Sequence, residues 1–170
     1  ALTPDGRIGY VADGPIFGST AAINAFALGA QMTNPHAAIA LSWSCCEPEP
    51  IQALLAQGLT VISGRELPRA ADAPYRGLFQ MVDGQPVAMA VPVWNWDGFY
   101  IRLVRSILRG SWDALSASDA GKAVNYWWGL ASGAVDVQLG QALPDGLREL
   151  TGILRGALIH GELAPFHRRI

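Results

Sequence analysis

The 170-residue sequence is poor in the residues that usually announce chemistry: two cysteines, three histidines, a single lysine (Lys122), and only 15% charged residues. Cys45 and Cys46 are adjacent, a spacing at which a mutual bridge is strained, so they read as free thiols and not as a disulfide framework. His36, His160 and His167 lie far apart, without HExxH or paired-cysteine spacing, and no metal site is expected. The stretch from Gly14 to Thr20 lacks both the lysine of a phosphate-binding Walker loop and the three glycines of a dinucleotide fingerprint, so no nucleotide cofactor is expected either. There is no G-x-S-x-G elbow. Cys45 or Cys46 at a strand end, or Asp13, is the remaining handle for an enzyme, and a buried, unreactive thiol is the plainer reading of the cysteines. An enzyme is not expected.

Other classes fall to the same scarcity. Twelve basic residues against fourteen acidic ones leave a formal charge of -2, which gives no footprint for nucleic acid. No run approaches the roughly 18 apolar residues of a membrane span, and no leader-like charged and apolar pair of segments opens the chain. Charged residues make up about a quarter of an ordinary soluble domain, so the low share here points to surface covered by another domain or subunit.

What is present is 51% hydrophobic residues in alternating strand and helix patterns. Arg7 to Ala12 reads as a strand closed by Asp13-Gly14-Pro15. Ile23, Phe26, Ala27 and Ala30 follow at helical spacing, with Ser19 or Thr20 as cap and Asn34-Pro35 as stop. Ala37 to Trp43 is a second strand, Pro50 to Gln57 a short helix and Leu59 to Ser63 a third strand. One helical turn is placed between Pro68 and Pro74. Gly77 to Val82 and Val87 to Val93 are strands around Asp83-Gly84, a pair that also suits a hairpin. Trp96 to Arg109 has an apolar helical face stopped by Gly110, and Ser111 to Lys122 is a loop or weak helix. Tyr126, Trp127 and Trp128 look like packing residues before a strand from Ala134 to Leu139. A last helix from Pro144 to His160, with Leu147, Leu150, Leu154 and Ala157 inward, stops at Gly161. The alternation predicts an α/β fold with a parallel Rossmann-like sheet and helices on both faces.

The aromatic residues carry the functional hint. Trp94-Asn95-Trp96 closes a strand and opens a helix, and Trp43 ends another strand. In a parallel α/β sheet the carboxyl ends share the edge at which ligands bind, so these residues and the 13–19 loop are expected to converge there, against the plainer alternative that the tryptophans fill the core.

The residues Ile8-Gly9-Tyr10-Val11-Ala12, Pro15-Ile16, the run from Ile23 to Gln31, Asn34-Pro35 and Ala53-Leu54-Leu55-Ala56-Gln57-Gly58 resemble, in order, the basic membrane protein (BMP) family of periplasmic-binding-protein-like receptors. Pro92-Val93-Trp94-Asn95-Trp96, Gly110-Ser111-Trp112, Trp128-Gly129-Leu130, Gly133-Ala134-Val135-Asp136, Gly161 and Pro165-Phe166 continue the likeness. The resemblance implies one lobe of a type I periplasmic-binding-protein fold over residues 1–170, the second lobe plus the C-terminal segment, with its first lobe missing. It implies a receptor of an ABC importer, lipoprotein-like, that binds a purine nucleoside or nucleobase and docks on a permease. The ligand-binding residues it implies are Asp13, Pro15, Phe17, Trp43, Asp83, Trp94, Asn95 and Trp96, with Trp43 stacking on the base. Two departures stand out. The stretch after Trp43 is contracted to Ser44-Cys45-Cys46-Glu47-Pro48, and Leu78-Phe79-Gln80-Met81 occupies the place of a family aspartate, with Asp83 only later in a shortened turn. They leave room for a changed ligand, or for a regulatory or dimerisation module of a larger protein such as a transcriptional regulator. A transport receptor would work outside the cytoplasm, a regulator inside it.

Overall fold

The computed structural model describes residues 2–3, 5–65, 70–110 and 128–165. The Ser111 to Lys122 segment, Trp112, Tyr126, Trp127, Phe166 and His167 lie outside the described residues. Among those described are six strands and four helices. They run β1 (Arg7–Ala12), α1 (Ser19–Thr33), β2 (Ala38–Trp43), α2 (Pro50–Ala56), β3 (Val61–Ser63), β4 (Leu78–Val82), β5 (Gln85–Trp94), α3 (Trp96–Leu108), β6 (Val135–Leu139) and α4 (Asp145–His160). A 3-10 turn at Ala70–Tyr75 precedes β4, where the sequence places one helical turn.

The strands form one mixed sheet in the order β2-β1-β3-β4-β5-β6, and the fold is α/β as the alternation requires. The parallel arrangement holds for β2, β1 and β3. From β3 onward the ladder is antiparallel through β4 and β5: the hairpin alternative holds for β4 and β5, and the antiparallel pairing of β4 with β3 corrects the parallel sheet at that point. For β4 and β5 the cause is local: Asp83 and Gly84 between them both adopt positive φ, 49° and 75°, the geometry of a two-residue hairpin turn whose twist matches its strands.

Neighbouring residues of β1 point to opposite faces and recruit different helices. A side chain on Gly9 would begin 3.1 Å from Leu54 Cδ1 of α2, whereas the ring of Tyr10 meets Phe26 of α1 edge-on at 5.0 Å. The two helices therefore cover opposite faces of this strand. On the α2 side Gly9, Ile62 and Phe79 lie in register across three strands. Val11, Leu54, Leu59, Ile62 and Phe79 form the buried core, with Ile51, Leu55, Tyr75 and Met81 packed around it. β2 stands at the sheet edge without a fully buried residue, although five of its six residues are apolar.

Helix ends follow the punctuation, with one exception. Asn34 ends α1 and Gly161, at φ 74°, follows α4. The N-cap of α1 is neither Ser19 nor Thr20 but Gly18, at φ 92°, and the Ser19 hydroxyl donates instead to the Gly14 carbonyl at 2.8 Å. In α4 Leu147, Leu154 and Ala157 are half-buried, whereas Leu150, expected inward, is exposed. Gly140 cannot be replaced freely, because a Cβ there would lie 1.8 Å from the Ala88 carbonyl oxygen.

The chain divides into two compact units. The first takes residues 1–91, 138–152 and 165–170, and the second residues 92–137 and 153–164. Among the described residues no helix is long and apolar enough to cross a membrane.

Candidate functional site

In the first unit, β1 ends at Ala12 and the chain turns through residues 13–18 into α1. Such a turn at the carboxyl end of a strand presents side chains that the sheet holds still. It forms a cleft of about 270 Å³ lined by Tyr10, Asp13, Ile16, Phe17, Ser19 and Ile23, among others. Phe17 is 99% exposed and Ile16 71% exposed. Three hydrogen bonds hold the loop in shape: the Ser19 hydroxyl to Gly14 O, Ile16 N–H to Gly14 O at 2.8 Å and Ser19 N–H to Ile16 O at 3.1 Å.

Asp13 is fixed from two neighbouring strands. Its carboxylate pairs with the Arg65 guanidinium, two residues beyond β3, and the Ser44 hydroxyl, one residue beyond β2, donates to its carbonyl at 3.2 Å. The parallel register of β2, β1 and β3 brings all three chain ends to one edge. The pair offers a ligand both an acceptor and a forked donor in fixed positions. Trp43 is half-buried and lies in register with Ala12, which lines the cleft, although Trp43 is not itself a lining residue. Pro15 lies exposed in the loop.

Beside this edge the Cys45 and Cys46 thiols are free and 3.5 Å apart, and both are exposed on the turn after β2, which corrects the expectation of buried thiols. The hydrogen bond with Cys45, its nearby charge and slight desolvation all raise the Cys46 thiol above its usual pKa. A raised pKa means less thiolate, the opposite of an activated nucleophile. Among the described residues no group of three or more His, Cys, Asp and Glu is placed to hold a metal ion.

The second unit gathers its own aromatic cluster. The rings of Trp94 and Trp96 stack at 5.9 Å and 16°, and remain 48% and 55% exposed. Phe99 meets Trp96 and Trp128 edge-on, and the Arg102 guanidinium sits over the Trp128 ring at 5.1 Å. Asn95 is drawn into structure. Its side-chain amide donates to the Gly133 carbonyl at 2.8 Å and its backbone N–H to Ala134 at 2.9 Å. The hollow beside it is about 20 Å³, room for little more than a water. Asp136 takes a forked pair of bonds from Arg155 at 2.8 and 2.7 Å and another from its neighbour's N–H. The Arg155 bond, then the Val137 N–H, hold its carboxyl below the ordinary value.

Asp13 and Phe17 thus share one cleft with Trp43 beside it, while Trp94, Asn95 and Trp96 form a second cluster in the second unit. Asp83 is a correction. Because β4 runs antiparallel to β3, the turn at its end lies at the edge of the sheet opposite the Asp13 cleft. Ile16 falls within the 13–19 loop expected at this edge, whereas Ser44 and Arg65 are the residues that sequence reasoning missed. Arg65 was recoverable in principle, since it follows the strand read from Leu59 to Ser63, but its pairing with Asp13 spans 52 residues.

No family model matches the chain. It is 27% identical over 180 residues to a purine-binding protein of Brucella abortus, a match covering 97% of this chain and 49% of that relative. It is 31% identical over 148 residues to a protein of Haloferax volcanii named as an ABC transporter glucose-binding protein, covering 78% of this chain and 35% of the relative. Both names are those of solute-binding proteins, and the likeness supports a periplasmic-binding-protein-like family for this α/β sheet. The chain spans about half the length of the first relative and about a third of the second.

Proposed function

We propose that this chain is a non-catalytic ligand-binding lobe of a basic-membrane-protein-type solute receptor, that its ligand is a purine nucleobase or nucleoside, and that the receptor serves an ABC importer. The cleft at the carboxyl end of β1 carries the reading. It joins an exposed aromatic ring, Phe17, to the carboxylate of Asp13, which Arg65 holds in place from beyond the lining, a combination able to stack a base and read its edge. Its volume of about 270 Å³ falls just under the 300–1,000 Å³ of complete ligand pockets, which suits a half-site closed by a second lobe. The name of the Brucella relative favours a purine, and the half-length match favours a partner lobe.

Half a site binds weakly. If a whole receptor holds its ligand at about 1 μM and each lobe supplies half the free energy, one lobe binds near 1 mM. The test is a thermal-shift series at 10 mM with adenine, guanine, adenosine, guanosine and inosine beside a pyrimidine and glucose. A rise with one or more purines alone supports the reading. A rise with glucose instead, or with nothing while the chain is folded, overturns the purine assignment.

A further inference from the structure

Cys45 and Cys46 are the only cysteines of the chain, and the cleft chemistry proposed above does not use them. Their sulfurs are exposed and 3.5 Å apart. The turn beneath them is pinned: the backbone N–H groups of Cys46 and Glu47 both donate to the Trp43 carbonyl, at 3.0 and 2.9 Å, and Ser44 N donates to Ala12 O at 2.8 Å. A direct bond between these sulfurs is unfavourable, because a trans peptide sets adjacent Cα atoms about 3.8 Å apart, below the roughly 4.4–6.8 Å of ordinary disulfides. A bridging atom meets no such obstacle. With sulfur bonds near 2.3 Å, sulfurs at the observed 3.5 Å subtend about 100° at the bridge, an angle suited to a pyramidal or tetrahedral centre. The centre must also be content with two protein ligands, since among the described residues no larger metal-binding group exists. Zinc, with three or four protein ligands, is a poor fit. A monosubstituted trivalent arsenical brings its third bond with it.

We propose that Cys45 and Cys46 form a preorganised dithiol site for a thiophilic centre of the monosubstituted trivalent arsenical class. The step is a condensation without redox change. In RAs(OH)₂ two As–O bonds break, two As–S bonds form, and each thiol proton leaves with a hydroxide, releasing two waters while arsenic stays trivalent. The adduct sits against the cleft loop, because Cys45 Sγ lies 3.8 Å from where a Gly14 side chain would begin.

Phenylarsine oxide is the probe. Titration of the folded chain, followed by intact mass and free-thiol count, is expected to give one arsenical per chain with both thiols lost. The adduct should resist excess 2-mercaptoethanol and yield to ethanedithiol. Cys45→Ser or Cys46→Ser should weaken binding at least about 100-fold, the gain that linking two binding groups supplies. The same titration in urea tests the preorganisation, with the folded chain expected to bind more tightly than the unfolded one. Two arsenicals per chain, reversal by the monothiol, or equal affinity in urea would each overturn the proposal.

Discussion

Replacing Phe17 by alanine separates binding from folding more cleanly than any other change near the cleft. The ring is 99% exposed, so its removal takes almost no buried area from the folded chain. Apo stability should stay within about 0.5 kcal/mol, the usual range for a surface substitution. Ligand binding should respond strongly. With a lobe affinity near 1 mM, 10 mM purine stabilises the wild-type chain by about 1.4 kcal/mol through mass action. For a chain of this size that is a rise in Tm of about 3–6 °C. Losing a stacking partner worth about 1–3 kcal/mol weakens binding roughly 5- to 150-fold. The same 10 mM purine then stabilises Phe17→Ala by about 0.6 kcal/mol or less. Thermal unfolding of both proteins with and without purine reads the difference. An unchanged purine shift in the variant refutes the stacking role, and a large fall in apo Tm refutes the view that the ring faces water.

Trp43→Ala should remove the purine-dependent shift and leave a folded chain, as judged by near-ultraviolet circular dichroism; unfolding would assign Trp43 to packing. Phe79→Ala should do the reverse. The side chain is fully buried against Tyr75 and the Leu54 cluster, so urea unfolding should show a loss of about 3–5 kcal/mol, and a loss below about 1 would mean the core lies elsewhere. The Asp136–Arg155 pair predicts a pH dependence. The folded-state pKa of Asp136 is depressed, so its contribution is present above the unfolded value near 3.9 and fades as pH falls through the lower folded value. Asp136→Asn should therefore be less stable than wild type at pH 7, with the gap in urea midpoint closing below about pH 4. A gap that holds at low pH would show that the carboxylate charge is not its source.

The sequence was readable where two signals agreed and misleading where one had to stand for a long-range fact. β1, α1, β2 and α2 were legible because apolar periodicity and punctuation by Asn34-Pro35 and Gly58 mark the same boundaries. The direction of β4 against β3 was not. β3 is only three residues long, and nothing in its apolar pattern says whether the next strand returns beside it in the same or the opposite sense. That one uncertainty moved a site residue, because reversing β4 carries Asp83 from the ligand edge to the far one. Arg65 was missed for the complementary reason. Only the register of Gly9 with Ile62 places its guanidinium on Asp13, and register is a property of two segments together. The N-cap of α1 shows the same thing in miniature, since the hydroxyl of Ser19 was legible as a cap but closes the loop on Gly14 instead.

A solitary exposed aromatic would carry no argument, because soluble proteins leave much apolar surface in water. The loop after β1 differs in three respects that act together. Two adjacent large apolar residues, Ile16 and Phe17, face solvent, and both line a concavity where isolated surface residues would normally stand on a convex face. The loop is not slack, for Gly18 at φ 92° and the Ser19–Gly14 bond fix its course. Burying such a ring is worth about 1.5–3 kcal/mol, and the folded lobe does not collect it. Part of that free energy remains available to whatever enters the cleft, beside a carboxylate and a guanidinium already oriented by their own pairing. A fold that holds apolar surface rigidly in water next to a fixed polar pair is built to complete its burial with a ligand, and this is why the loss of Phe17 should be felt only when ligand is present.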